Sequence, residues 1–590
     1  MTLDVRKAFD SVAHGSLLKA AERAGVPKPV TEYIGRFYSN STTRLRFRGG
    51  LSHVISVKQG VKQGDPLSCI LFNLVIDWAL DQLSEHIKFD VGNGVGFNHA
   101  AFADDVILAA NRKDGLQAQV NLFTDHLQKS GMTVNAGKCA TIAIVVNGKS
   151  RKWVVDPRRF LKIGDSPELV KALSVADTYK YLGIQASASG STSCAEGKLE
   201  RLLRQISRAP LKPQQRLWIL NTRVFPSLRH DLVFCRTGKG FLRHLDRKVK
   251  TAVKGWLKLP KDTSDPSFWA SVSDGGLGIL SLEHCVPEWK RSRLTCMQFA
   301  TNDPIMIELL AGNWLRKEIR MWSKPVTWRA HVMNCAETRS EAYRTELYRT
   351  IDGRGLKSAS LVPAAHQWVS NGSSLLKGSY FNAAIGIRLG TLPTKLRASR
   401  GRSEVDTGCK CNYSWRGRYV APTVWHSECL SHILQKCALT HGNTIRRHNR
   451  VLEALAGIFR RRGFQTTLEP VFKIAGGAHL KPDLLVWGDG RPSMVIDVSI
   501  CRDDCADPNE PHYAKVQKYG EHAQIKEQVM LMTQVVPVFS ALVINWRGCI
   551  APASAIDLKS AGFSDSDLIL LAALTVEHGA EIHNVYRKIV

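Results

Sequence analysis

No 18-residue stretch of this chain is both apolar and free of charge, so the usual signature of a membrane-spanning helix is missing. The nearest candidate, Val529 to Ile544, is interrupted by Thr533, Gln534, Pro537 and Ser540. Near Met1 the charged residues Asp4, Arg6 and Lys7 stand where the apolar core of a secretory signal would be. Acidic residues are scarce, with 52 Asp plus Glu against 81 Lys plus Arg and a net charge of +29. Most of the 14 cysteines are scattered, and only those after residue 405 lie close together. That pattern, without a secretory signal, argues for reduced thiols and one metal-ligating cluster over a disulfide framework.

What is present is enough chain, 590 residues, for several hydrophobic cores, and an ordinary hydrophobic fraction of 44%. The positive charge is spread along the chain, with clusters at Arg158-Arg159, Arg446-Arg447 and Arg460-Arg461-Arg462. Each phosphate such residues neutralise releases counterions, so a polyanionic partner is one reading. A merely basic soluble protein is the other, and charge alone does not separate them.

Two acidic elements sharpen the choice. The chain opens Thr2-Leu3-Asp4-Val5-Arg6-Lys7-Ala8-Phe9-Asp10, an apolar run that ends on a carboxylate and flows into a helix-like stretch. A hundred residues on, Asp104-Asp105 stands between two apolar runs, Ala100 to Ala103 and Val106 to Ala109. Neighbouring strand residues face opposite ways, so both carboxylates reach one site only at a bend, which predicts a hairpin turn. Clustered carboxylates imply bound cations, because like charges so close otherwise suppress one another's ionisation. Mg²⁺ favours carboxylates plus phosphates, and two such ions suit phosphoryl transfer.

Between them, Gly60-Val61-Lys62-Gln63-Gly64-Asp65-Pro66-Leu67-Ser68 predicts a glycine-flanked loop opening a helix over Ile70 to Leu83, with Pro66 in its first turn. An amphipathic helix is expected over Leu116 to Gln128. Gly131 to Lys138 follows, and Tyr179 to Ile184 predicts a short strand or hairpin. The ordered series LDVRKAFD, QGDPLS, FADD, GMTVNAGK and YLG resembles the palm of reverse transcriptases, above all those of non-LTR retrotransposons. The resemblance implies that Asp4, Asp104 and Asp105 bind Mg²⁺ and that Phe9 is the bulky gate against a ribonucleotide 2′-hydroxyl. It implies that Gln63 and Gly64 pack on template and incoming dNTP, that Lys138 approaches the triphosphate, and that Tyr181, Leu182 and Gly183 grip the primer end. A solvated surface lysine is the other reading of Lys138. The family carries fingers segments ahead of the first of these aspartates, so the resemblance also implies a piece of a longer polyprotein.

Residues 187–294 predict a basic helical region, with stripes Leu199, Leu202, Leu203, Ile206 and Phe241, Leu245, Val249, Val253, Trp256. By position this is the thumb. Ser273 to Ile279 predicts a turn, since it lacks the lysine and preceding strand of a phosphate loop. Residues 295–404 mix tryptophans with charges and indicate no role.

Cys409, Cys411, His432 and Cys437 offer three thiolates and an imidazole, a tetrahedral Zn²⁺ set, with His426 and Cys429 as nearby competitors. Lys481-Pro482-Asp483 opens one β-prone run and Asp497 lies in the next, across a turn holding Gly488 and Gly490. Paired strands would carry both carboxylates to one Mg²⁺, with Lys515 or Lys518, ahead of Tyr519, orienting water. This resembles the restriction-like PD-(D/E)xK nuclease, and more narrowly the endonuclease of ribosomal-DNA-inserting retrotransposons, with the lysine displaced from its usual strand.

The expected architecture is therefore α+β and multidomain: reverse transcriptase palm (1–186), helical thumb (187–294), a region without assigned role (295–404), zinc knuckle (405–442) and restriction-like endonuclease (443–590). The resemblance implies template RNA, target DNA and a primer–template duplex as partners, a nuclear site of action, and no membrane. A group II intron-type enzyme is disfavoured by the KPD element and by the lack of a clustered His-Asn-His. A binding protein with decayed sites is disfavoured by Asp4, Asp104, Asp105, Asp483 and Asp497.

Overall fold

The computed structural model describes residues 1–164, 169–299, 302–371, 375–400, 402, 405–412, 425–488 and 491–590. The expected turn residue Gly490 lies outside them. Two compact units emerge: Met1–Ala195 with His230–Thr237 and Trp289–Lys324, and Glu196–Arg229 with Gly238–Glu288 and Pro325–Val590. Both are mixtures of helix and strand, in keeping with an α+β chain.

The first unit is built on a three-stranded antiparallel sheet. Its elements, in chain order, begin with β1 (Thr2–Leu3), α1 (His14–Arg23) and α2 (Pro66–Leu80). They continue with β2 (His99–Phe102), β3 (Asp105–Leu108) and α3 (Lys113–Lys129). Short hairpins follow: β4 (Ile144–Val146) with β5 (Trp153–Val155), then β6 (Tyr179–Tyr181) with β7 (Ile184–Ser187). In the sheet β3 is central, between β1 and β2. Alternation along β3 sends Val106 and Leu108 into a core shared with Leu3, Phe72, Val75, Phe123 and Leu127. The helix expected from Ile70 starts earlier, because Asp65 caps it by accepting from the Leu67 N–H at 3.1 Å and Pro66 sits in its first turn.

In the second unit, α4 (Ala195–Arg208) and α5 (Lys239–Leu257) carry the two expected stripes, buried at Leu199, Leu203 and Ile206 and at Leu245, Val249, Val253 and Trp256. The helical reading from Ser187 opens late. Ile184–Ser187 pairs with Gly190–Thr192 first, and the helix starts at Ala195. Three cations of α5 are neutralised within the fold. Arg243 pairs with Glu283 at 2.7 Å, Lys248 with Glu196 at 3.2 Å and Lys250 with Asp265 at 2.7 Å. Ser273–Ile279 is a turn, as expected, held under Ala270, whose carbonyl oxygen would lie 2.2 Å from a methyl group on Gly276.

The C-terminal part of this unit contains α6 (Leu430–Gln435), α7 (His441–Arg461), β8 (Gln465–Leu468), β9 (Leu484–Gly488), β10 (Arg491–Cys501), α8 (Glu510–Gly520), β11 (Pro537–Asn545) and α9 (Asp565–Ile589). The sheet order is β8-β9-β10-β11. The first pairings are antiparallel and β10–β11 is parallel. A parallel neighbour requires a crossover, and helix α8 is part of it. Val495, Ile496 and Val498 in β10, and Ala541 to Ile544 in β11, are buried on both faces, as helix-covered parallel strands require.

Candidate active sites and a candidate metal centre

The β1–β3 register pairs Thr2 with Ile107 and Leu3 with Val106. One step further along that antiparallel ladder, Asp4 stands opposite Asp105, where cross-strand side chains share a face roughly 5 Å apart. Phe102 pairs with Asp105, so Ala103 and Asp104 are the two turn residues of the β2–β3 hairpin. Ala103 takes the left-handed conformation that such a turn demands, with φ +53°. The expected bend is there, but it holds Asp104 and not Asp105, which is already the first residue of β3 and reaches the same side through its place in the strand. Burial, then the Asp104 and Asp4 carboxylates, raise the Asp105 carboxyl above its usual range.

The other expected contacts gather around the same sheet. Lys138 Nζ lies 3.8 Å from an Asp4 carboxylate oxygen. Asn135 donates its backbone N–H to the Asp4 carbonyl oxygen at 2.8 Å, which ties the Gly131–Lys138 segment to the end of β1. The Tyr181 hydroxyl reaches the Asp105 carbonyl oxygen at 3.5 Å, and Leu182 (φ +45°) and Gly183 (φ +81°) turn the β6–β7 hairpin. Phe9 stacks on Phe72 of α2 with ring centres 4.4 Å apart. Gln63 donates to an Asp10 carboxylate oxygen at 3.0 Å, and Gly64, at φ +91°, faces open space.

The second carboxylate pair repeats the device. Leu484 pairs with Ile496, so the next antiparallel step sets Asp483 opposite Asp497. Asp483 accepts the Val498 N–H at 2.6 Å and approaches His448 Nε2 at 3.2 Å. Buried Asp497 receives Lys515 Nζ at 2.6 Å on one oxygen and the Tyr519 hydroxyl at 2.8 Å on the other. Of the two candidate lysines, Lys515 meets the carboxylate. Lys518 instead lies 3.3 Å from the Tyr519 hydroxyl and over its ring. Burial, then Asp497, raise the Tyr519 hydroxyl well above its usual range, with Asp483 adding to it, so both carboxylates lie around that phenol.

His448 was not among the sequence candidates. It sits on α7, and its hydrogen bond to Asp483 raises its imidazole to about 9. No local spacing signals it, since 35 residues separate it from Asp483 and only packing of α7 on the sheet joins them. Tyr519, named in the sequence behind the two candidate lysines, meets Asp497 directly.

Cys409, Cys411, His432 and Cys437 place their ligand atoms within 4.8 Å of one another; among the described residues no other group of three or more His, Cys, Asp or Glu does so. Cys409 Sγ lies 3.8 Å from Cys437 Sγ, and Cys411 Sγ lies 3.2 Å from His432 Nε2. Tetrahedral Zn–S and Zn–N bonds give ligand separations of about 3.6–3.8 Å; the Cys409–Cys437 spacing matches and the Cys411–His432 spacing is shorter, so three thiols and an imidazole gathered this closely suit that ion by donor type. The competitors are engaged elsewhere. Cys429 caps α6, accepting the His432 N–H at 3.4 Å, and the His426 ring stacks on that of His432. Tyr586 of α9 contacts Cys409 Sγ at 3.2 Å and donates to Glu428 at 2.9 Å, anchoring the C-terminal helix to the cluster.

Comparison with known proteins agrees with this geometry. Residues 1–186 match the family described as reverse transcriptase (RNA-dependent DNA polymerase). The chain is 33% identical over 551 residues to the Retrovirus-related Pol polyprotein from type-2 retrotransposable element R2DM of Drosophila melanogaster, covering 92% of the chain and 50% of that protein. It is 32% identical to a type-1 R2 Pol polyprotein of Nasonia vitripennis, over 95% of the chain and 52% of the relative. To one from Popillia japonica it is 30% identical, over 88% of the chain and 70% of the relative. The chain thus spans about half the length of the first two. With its paired aspartates on one sheet, a reverse transcriptase match over residues 1–186 and this breadth of likeness, the chain belongs to the family of Pol polyproteins of R2 retrotransposable elements.

Proposed function

We propose that the protein is an RNA-directed DNA polymerase with a linked DNA endonuclease, working in target-primed reverse transcription of a non-LTR element. The register that sets Asp4 opposite Asp105, with Asp104 in the adjoining turn, carries the polymerase half of this reading. Divalent ions held by these three carboxylates would activate the primer hydroxyl and stabilise the leaving pyrophosphate. Lys138, at the edge of Asp4, neutralises triphosphate charge. Phe9, braced by Phe72, blocks a 2′-hydroxyl, and Gln63 with Gly64 contacts template and dNTP. Tyr181, Leu182 and Gly183 hold the primer end beside Asp105.

The endonuclease half rests on the Asp483–Asp497 pairing and on Lys515. Asp483 and Asp497 would hold Mg²⁺, which would supply Lewis-acid chemistry for phosphodiester hydrolysis; Lys515, on Asp497, would orient the attacking water, and Tyr519 fixes the Asp497 rotamer. The cysteine–histidine quartet would hold Zn²⁺ as a structural site. The nick supplies the 3′ end that the first centre extends on template RNA, which places the work in the nucleus. Residues 1–186 serve as palm, 187–294 as thumb, 405–442 as knuckle and 443–590 as nuclease.

Primer extension on RNA with dNTPs and Mg²⁺ tests the first centre: Asp104→Ala should lower it by roughly 1000-fold or more. Undiminished extension by that variant would sink the assignment. Asp497→Ala should remove nicking of target DNA and leave extension intact. Loss of both activities, or of neither, would contradict two separable centres.

A further inference from the structure

Between the Gly131–Lys138 segment and the Tyr179–Tyr181 strand, the β4–β5 ribbon has no role in either centre. Its register pairs Val146 with Trp153 and Ile144 with Val155 across the strands. Trp153 is 74% exposed, Val146 53% and Ile144 55%, so one ribbon face carries an uncovered indole beside two aliphatic side chains. The turn that follows is ordered. Asn147 Oδ1 accepts the N–H groups of Lys149 and Ser150 at 3.0 and 3.2 Å, and the Asn147 N–H donates to the Lys152 carbonyl oxygen at 2.9 Å. That turn presents Lys149, Arg151 and Lys152, all exposed, and no described acidic group pairs with any of them. Asp156 at the ribbon's base is taken up by Arg158 and Arg159 at 3.0 and 3.3 Å.

A flat, exposed indole next to unneutralised cations on a two-stranded support is the chemistry that holds unpaired nucleotides, with stacking on the base and charge on the phosphates. A duplex hides its base faces, so Trp153 has no use for one. We propose that this ribbon binds single-stranded RNA, Trp153 stacking on a base while Lys149, Arg151 and Lys152 contact flanking phosphates. The choice of RNA as the strand rests on the polymerase reading above. Charge complementarity and the uncovered ring do not.

Binding of an unstructured oligouridylate to the chain tests it. Trp153→Ala should weaken binding roughly 5- to 100-fold, and Trp153→Phe should retain most of the affinity. Replacing Lys149, Arg151 and Lys152 together by Ala should reduce the slope of log affinity against log salt by about 2. Binding to blunt duplex DNA should change little for Trp153→Ala. All variants should keep the zinc content and circular dichroism of the parent, as fully exposed positions allow. Repeating the measurement in an Asp104→Asn background separates the two readings: RNA affinity that still depends on Trp153 where no extension occurs upholds the ribbon on its own. Ultraviolet cross-linking to a DNA-primed RNA with a single-stranded overhang should leave a ribonucleotide mass on the peptide containing Trp153. Unchanged oligouridylate affinity in Trp153→Ala would overturn the proposal. So would a deoxynucleotide on that peptide, or a dimer that dissociates in Trp153→Ala while RNA binding persists.

Discussion

A methyl group added to Gly60 would lie 2.7 Å from the Asp10 carbonyl oxygen, and the residue already holds φ +85°. Gly64, four residues on, has φ +91° but open space around it. Gly60 and Gly64 of the Gly60–Ser68 loop therefore both favour glycine, for different reasons. Gly60 docks the loop on the segment after Asp4, receiving a bond from His14 at 3.0 Å and donating its N–H to the Val12 carbonyl oxygen at 2.8 Å. Gly60→Ala should cost about 2–4 kcal/mol in urea unfolding of the first unit, and Gly64→Ala only about 1 kcal/mol. Equal costs would show that the close approach to Asp10 is unimportant. The two lysines of α8 separate in the same way. Lys515→Ala should cut nicking by roughly 100-fold, while Lys518→Ala, which loses only a contact to the Tyr519 hydroxyl, should cost under about 10-fold. A reversed order would move the catalytic lysine to Lys518.

At the scale of an element, Asp246 shows how a helix surface is spent inward. It is buried on α5, and its carboxylate accepts the Ser281 hydroxyl at 2.8 Å and the N–H groups of Leu282 and Glu283 at 2.8 and 3.0 Å. Those N–H groups open the helix Leu282–Gln298, so Asp246 caps it from a distance in sequence. Asp246→Ala should destabilise the second unit by about 2–4 kcal/mol by orphaning buried donors, and Asp246→Asn by less. Burial raises the Asp246 carboxyl to about 7 against its backbone and Ser281 donors. A carboxyl whose folded value lies above its unfolded one binds more protons folded, so its stabilisation is full below about pH 4 and is lost as pH rises through 7. The difference in unfolding free energy between the parent and Asp246→Asn should follow that curve. A flat difference would place the ionised form in the folded state.

Over the whole molecule, the cysteine–histidine quartet has more reach than its four side chains. Cys409 touches Tyr586, Lys410 reaches the Val590 carbonyl oxygen at 2.7 Å, and α9 packs on α7 behind the Asp483–Asp497 sheet. Stripping zinc, or Cys437→Ser, should lower the Tm of the second unit by roughly 5 °C or more and slow nicking, with primer binding by the first unit retained. A full zinc complement in Cys437→Ser would remove that ligand. The distribution of charge belongs to this scale as well. The net +29 allows either a polyanionic partner or a merely basic protein, and Arg243, Lys248 and Lys250 of α5 are held by Glu283, Glu196 and Asp265. Composition counts charges without saying which are already neutralised.

The sequence by itself determined the local devices: a hairpin bend beside Asp104, a helix opened by Pro66, and the helical stripes ending at Trp256. Each depends on neighbours within a few residues, where propensity and periodicity act. Only the tertiary structure decided which distant groups meet. Strand register set Asp4 against Asp105, helix packing carried His448 to Asp483 and Lys515 to Asp497, and the cap on α6 drew Cys429 away from the quartet. Such meetings depend on how sheets and helices bury their apolar faces together, and spacing along a chain does not encode that.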